Sequence, residues 1–134
     1  MTADCLPIVL ARDSGEPAVA VLHAGWRGLL AGIVRVGVEQ LGGPLQAAVG
    51  PAIGPCCYEV GVEVSEPFAA AFGADVVHGR KLDLWSAAEK ALHAAGVEDV
   101  LRTDVCTCCN PERFFSHRRT GKPRGVQGVI ARVA

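Results

Sequence analysis

Neither sign of charge is in excess in this chain. Its 134 residues carry 13 Lys and Arg against 14 Asp and Glu, a formal net charge of −1. With no basic stripe to follow a phosphate backbone, a nucleic-acid partner is not expected. Long apolar runs are missing as well. The longest are strand-sized or broken by Gly and Arg, short of the roughly 20 residues a membrane helix needs. The N-terminus shows no basic region, extended apolar stretch or small-residue cleavage site of a secretory signal, so a cytoplasmic location is the expectation. Histidine is sparse: the 4 residues His23, His78, His93 and His117 are scattered, too few for the paired His motifs of copper oxidases. No internal repeat or low-complexity tract is present.

What remains is a half-apolar chain with a fifth of its residues charged, which places it among globular domains. At this length residues 1–134 form one domain. Six cysteines stand at Cys5, Cys56, Cys57, Cys106, Cys108 and Cys109. A chain able to build a core without staples, and showing no export signal, is expected to keep them as free thiols or metal ligands.

The apolar run Cys5–Ala11 ends at the turn cluster Arg12-Asp13-Ser14-Gly15, and a second run follows at Ala18–His23, which together predict a β-hairpin. The period then changes. Leu30, Ile33, Val34, Gly37, Val38 and Leu41 fall on one face of a helix, stopped by Gly42-Gly43-Pro44. Gly37 in that stripe predicts a close approach of helix to sheet. A third strand is expected at Leu45–Val49, followed by the irregular Gly50–Pro55. Ser65 is a candidate N-cap for a helix reaching Phe72, with Pro67 in its first turn. Asp83 is the N-cap of another, whose stripe is Leu84, Ala87, Ala88, Ala91, Leu92 and Ala95 and whose end is Gly96. Short β-like runs follow at Asp99–Cys106 and Gly125–Val133. The alternation predicts a layered α/β or α+β domain with a mixed sheet.

Three groups of residues carry candidate chemistry. His23-Ala24-Gly25-Trp26-Arg27-Gly28 spans the junction of second strand and first helix, where backbone N–H groups and Arg27 favour an anion. The alternative is a His bonded to a carbonyl and an Arg in a surface ion pair. Cys5 and His23 sit at the same end of the hairpin, as a thiolate–imidazole pair, as half of a zinc site, or with Cys5 as a plain buried thiol. The last group is Cys106-Thr107-Cys108-Cys109. With Cys56-Cys57 it offers sulfur for structural zinc. The spacing departs from the usual knuckles, and neighbouring cysteines do not easily share one tetrahedral ion, so thiols packed near a shared loop are the favoured reading. Arg118 and Arg119, which follow Phe114-Phe115, are either solvated or forked onto a phosphate.

The motifs TADCLP, HAGWRG, GPAIGPCCYEVG and CTCCNPERFFSHRR occur in that order, and together they resemble the YfiH/laccase-domain family of purine nucleoside enzymes, formerly classed as multicopper polyphenol oxidases. The resemblance runs from about Thr2 to near the C-terminus. It implies a layered α/β domain with mixed sheets, similar to the Cys–His deamidase toxin fold, and an active site containing zinc. The family's ligands are the Cys of TADC, here Cys5, the His of HAGWRG, here His23, and a His further upstream that no residue of this chain matches. On this resemblance the chain corresponds to the C-terminal portion of a YfiH/laccase-like domain. Its sheet is then expected to leave an edge for self-association or for a partner.

The activity implied is phosphorolysis of adenosine, inosine, guanosine and methylthioadenosine, with deamination of adenosine. The partners are therefore purine nucleosides and phosphate. Arg27 is the expected anion-binding residue, with Arg118 and Arg119 as weaker candidates. Zinc on Cys5 and His23 would activate water, and adjacency suggests that Asp4 orients His23 or accepts a proton. Two other readings remain: copper-dependent oxidation of phenols, and a catalytically silent domain that needs a partner.

Overall fold

The computed structural model describes residues 1–133. Strand β1 (Leu6–Arg12) and strand β2 (Ala18–Ala24) form the expected hairpin, in register from Leu6 opposite Ala24 to Arg12 opposite Ala18. Helix α1 (Trp26–Leu30) and helix α2 (Ile33–Leu41) follow, and then strand β3 (Gln46–Val49). Helix α3 (Val62–Phe72), a short 3-10 turn, a hairpin of strands β4 (Val77–His78) and β5 (Lys81–Leu82), and helix α4 (Leu84–Ala94) lead to strand β6 (Asp99–Arg102). Helix α5 (His117–Thr120) comes last. The main sheet has the order β2-β1-β3-β6. β1 is antiparallel to both neighbours and β3 is parallel to β6, so the sheet is mixed and the domain α/β, as expected.

Alternation along the strands sends Leu6, Ile8, Leu10, Ala24, Ala47 and Val49 to one face, all buried. Val34, Phe68, Leu84, Ala88 and Leu92 complete the core above it, an amphipathic division that drives the layering. On the opposite face the register aligns Val21, Val9, Ala48 and Leu101 in one row across all four strands. Val21 and Leu101 are exposed there, at 46% and 67%, so no described element covers that row.

Gly37 makes the close approach its place in the stripe predicted. A Cβ there would stand 2.8 Å from Leu22 Cδ1 and 3.3 Å from Leu10 Cδ1. Gly37→Ala is therefore expected to crowd the sheet at about 1–3 kcal/mol, offset by about 1 kcal/mol of helix propensity. A net loss of stability at the denaturation midpoint is the expected outcome, and a stabilised variant would contradict the packing. Asp83 caps α4 as expected, its Oδ1 accepting from Ser86 N–H at 3.0 Å.

Four expectations need correction. The single helix through Leu30 and Leu41 is two helices, because Gly32 takes φ +80 and interrupts it. Helix α3 begins a turn before Ser65, with Gly61 as N-cap and the N–H groups of Val64 and Ser65 donating to the Gly61 carbonyl. Pro67 then lies beyond the first turn and leaves the Glu63 carbonyl without its helical donor. The strand expected over Asp99–Cys106 runs only to Arg102, where its partner β3 ends at Val49, and pairing resumes beyond it as a single bridge between Ala52 and Cys106. Gly125–Val133 forms no strand. Its pairing is a bridge between Gln127 and Thr2, and Ile130 is 97% exposed. An apolar run becomes a strand only where another strand lies alongside to share its hydrogen bonds.

Candidate functional site

A cleft of about 580 Å³ opens where β1 and β2 meet α1, lined by Ala3, Asp4, Cys5, His23, Gly25, Trp26, Arg27, Gly28, Ile53, Tyr58, Leu84, His117 and Arg118. That volume suits a small organic ligand. Cys5 and His23 both border it, set diagonally rather than directly opposite. His23 pairs with Pro7, and Cys5 lies one step beyond the Leu6–Ala24 pair, beside Gly25. The thiol occupies the space a side chain would fill at position 25, since a Cβ on Gly25 would stand 3.0 Å from Cys5 Sγ. The HAGWRG run thus needs its first glycine to admit the cysteine. Burial first, and the Asp4 carboxylate second, push the Cys5 thiol above its ordinary range, while Arg124 works the other way.

Arg27 is exposed at the cleft, its guanidinium 4.0 Å from the Trp26 ring centre. It makes no ion pair among the described residues, so its charge is free for a ligand. Arg118 lies over Tyr58, 5.3 Å from the ring centre, and donates through Nη1 to the Glu59 carbonyl at 2.7 Å. Burial is the main cause that pushes the Tyr58 hydroxyl upward, against the pull of Arg118, so it stays a proton donor near neutral pH.

Two residues named from the sequence brace the site through hydrogen bonds, Asp4 from the cleft wall and Arg119 from outside it. Asp4, buried and at φ 90, accepts from Thr107 Oγ1 at Oδ1 and from Arg118 N–H at Oδ2, both at 2.7 Å. No bond joins it to His23 among the described contacts. Its carboxylate ties the chain start to the 107–118 loop. Arg119 does not line the cleft. Its Nη1 donates to the carbonyls of Thr107 and Cys108, both at 2.9 Å, and its Nη2 to that of Phe114 at 2.7 Å. Trp26, Tyr58 and His117 belong to the cleft and were not singled out as site residues. Tyr58 follows the double cysteine of the GPCCYEVG motif. His117 stands in the CTCCNPERFFSHRR motif, but nothing local signals its return to the cleft, because the Asp4–Arg118 bond that brings it back spans 114 positions.

The cysteine expectation also changes. The sulfurs of Cys56, Cys57, Cys106 and Cys109 all lie within 4.8 Å of one another. Cys109 Sγ is 3.5 Å from Cys56 Sγ and 3.3 Å from Cys57 Sγ. They are close enough to ligate one metal ion. Adjacency does not keep Cys56 and Cys57 apart from the others, since the tight turn after Gly54 brings both sulfurs to Cys109. Cys106 and Cys109 have the C-x2-C spacing, with Cys108 the odd member. Desolvation opposes ionising Cys106, but the N–H of Gly54, donating at 3.3 Å, helps outweigh it and holds that thiol below its ordinary range.

A family profile described as multi-copper polyphenol oxidoreductase laccase matches residues 1–133. The chain belongs to that family. Among its laccase-family relatives is a protein called purine nucleoside phosphorylase YfiH from Escherichia coli K12, 43% identical over 128 residues, covering 89% of this chain and 52% of that protein. A protein called adenosine deaminase RL5, from an unknown prokaryotic organism, is 41% identical over 136 residues, covering 90% of this chain and 52% of its own length. The crystal structure of Neisseria meningitidis protein NMB0706 superposes with a TM-score of 0.82 at 35% identity, over 90% of this chain and 54% of that one. The chain spans about half the length of the curated relatives it matches. No helix among the described residues is long and apolar enough to cross a membrane.

Proposed function

We propose that this laccase-family chain carries the cleft of a zinc-dependent purine nucleoside enzyme. Its reactions are phosphorolysis of adenosine, inosine, guanosine and methylthioadenosine, and deamination of adenosine. One observation carries the reading: a single cleft holds a Cys–His pair beside two arginines and two aromatic rings. The names of the relatives support the same chemistry.

The donor set fits zinc. Thiolate sulfur and imidazole nitrogen are ligands this ion prefers, and Cys5 and His23 supply two of the three a catalytic site uses. The same pair suits copper oxidation poorly, because that chemistry gathers several imidazoles and, among the described residues, only His23 and His117 border the cleft. The raised Cys5 thiol is likewise a poor free nucleophile. When bound, zinc supplies a Lewis acid that lowers the pKa of water, which deamination requires.

The remaining work falls to the chain's own side chains. In phosphorolysis a phosphate oxygen bonds to the anomeric carbon as the glycosidic carbon–nitrogen bond breaks, and the purine departs with the electron pair. Arg27 and Arg118 hold the phosphate and offset its charge. Trp26 and Tyr58 offer flat faces to the purine, and the Tyr58 hydroxyl, kept protonated by its surroundings, is a donor for the departing base.

Release of free base from inosine, with and without phosphate, tests this reading. Release that needs phosphate supports it, and equal release without phosphate would overturn it. Arg27→Gln is expected to raise the KM for phosphate by about 10-fold or more, the scale of losing one hydrogen bond to a charged group, while KM for the nucleoside changes less. A reversed pattern would place the phosphate elsewhere.

A further inference from the structure

Four of the six cysteines form a cluster that the nucleoside reading leaves unused. Cys56 and Cys57 come from the turn after Gly54-Pro55. Cys106 and Cys109 come from the turn that follows β6, where Ala52 bridges to Cys106. Hydrophobic packing does not explain the meeting, because Cys56 and Cys109 are exposed. The dimensions point to a metal. Zinc held by four thiolates at about 2.3 Å sets its sulfurs about 3.8 Å apart along the tetrahedral edges. The observed separations of 3.3 Å and 3.5 Å, with every pair inside 4.8 Å, bracket that edge. A disulfide would draw only two sulfurs together, to about 2.05 Å, and leave the convergence of the others without a purpose.

The surrounding hydrogen bonds hold the loop in this shape. Asn110 Nδ2 donates to the Cys106 carbonyl at 2.7 Å, and Arg119 Nη1 donates to the carbonyls of Thr107 and Cys108, the two residues between the ligating pair. The Gly54 N–H donates to Cys106 Sγ, the kind of outer bond that orients and stabilises a ligating sulfur. Arg119 also places a positive charge beside a group that becomes doubly negative when four thiolates take one divalent ion.

We propose that Cys56, Cys57, Cys106 and Cys109 form a tetrahedral four-thiolate site that takes one zinc ion, separate from the Cys5–His23 pair. Binding exchanges four thiol protons, released to solvent, for four zinc–sulfur bonds, with no change in oxidation state. The site is closed, with no open position for water, and its work is structural. It clamps the turn that carries Tyr58 to the loop whose far end carries His117 and Arg118, so two walls of the cleft share one tether. This proposal does not rest on the nucleoside reading, and its test does not use activity.

The test is zinc content of the full chain, purified under reductant from zinc-supplemented cells and read by elemental analysis. The Cys5→Ser/His23→Ala variant is expected to retain one zinc per chain. Cys57→Ser/Cys109→Ser is expected to lose that ion, and Cys108→Ser to keep it. Because loss of the tether can unfold the double cysteine variant, cobalt is also titrated into the metal-stripped Cys5→Ser/His23→Ala protein. An intense sulfur-to-cobalt charge-transfer band saturating at one ion supports four-thiolate ligation. Absence of that band, copper in place of zinc, a disulfide within the cluster under reductant, or undiminished zinc in a folded Cys57→Ser/Cys109→Ser protein would each overturn the proposal.

Discussion

Cys5→Ala is expected to abolish phosphorolysis, lowering kcat/KM by more than about 100-fold, beyond what loss of an outer partner of a metal ligand costs. The thiol sits in the gap left by Gly25 and borders the cleft with His23. Alanine removes the sulfur and leaves the backbone of β1 unchanged, so stability is expected to shift much less than activity. Cys5→Ser is the sharper variant. It keeps shape and polarity but substitutes a hydroxyl that is a far weaker zinc ligand, and is expected to lose nearly as much activity. If Cys5→Ser kept full kcat/KM, the sulfur would have no part in the chemistry. Steady-state kinetics with phosphate saturating, alongside the denaturation midpoint, separates the two effects.

Asp4→Ala is expected to produce the largest stability loss of any single polar substitution here. Both carboxylate oxygens are engaged, one by a fully buried Thr107 hydroxyl and one by the Arg118 N–H. Removing the acceptor strands two donors, at about 1–3 kcal/mol each, and places alanine at φ 90, where a side chain is strained. A total of about 3–6 kcal/mol follows from those terms, a large share of what holds a domain of this size together. Asp4→Asn keeps the shape and tolerates that backbone conformation, so it is expected to cost less than half as much. Urea denaturation of both variants checks the order. Near-equal midpoints for wild type and Asp4→Ala would mean that the carboxylate does not tie the loop down.

The parts of the molecule readable from sequence were those written in local chemistry. The hairpin followed from two apolar runs around Ser14-Gly15, the cap of α4 from Asp83, and the sheet contact from a glycine in an apolar stripe. Each depends on residues within a turn or two of one another. The β4–β5 hairpin went unseen because strands of two residues have no alternation to read. The break at Gly32 was masked by a stripe that continues through it. The cleft's first wall was legible in TADC and HAGWRG, since Cys5 and His23 belong to one hairpin. Its second wall was legible only in Arg118, a weaker phosphate candidate that does border the cleft. Tyr58, His117 and Arg118 arrive through long-range ties, above all Asp4 to Arg118, and the direction of a loop that returns across most of the chain has no periodic signature. Arg118 and Arg119 show the limit plainly: adjacent, identical in type, and turned to different tasks. The cysteine cluster was legible as a structural zinc candidate but ranked below packed thiols, since the rule about neighbouring cysteines assumes an extended backbone and the turn at Cys56-Cys57 is not extended.

Phosphorus NMR of the full chain incubated with inosine and inorganic phosphate tests the central claim most directly. The account predicts that the phosphate signal declines as a sugar-phosphate resonance grows in step with free hypoxanthine, and that neither change occurs with the Cys5→Ala variant. Hypoxanthine released while inorganic phosphate stays constant, or a sugar phosphate formed equally well by Cys5→Ala, would contradict it.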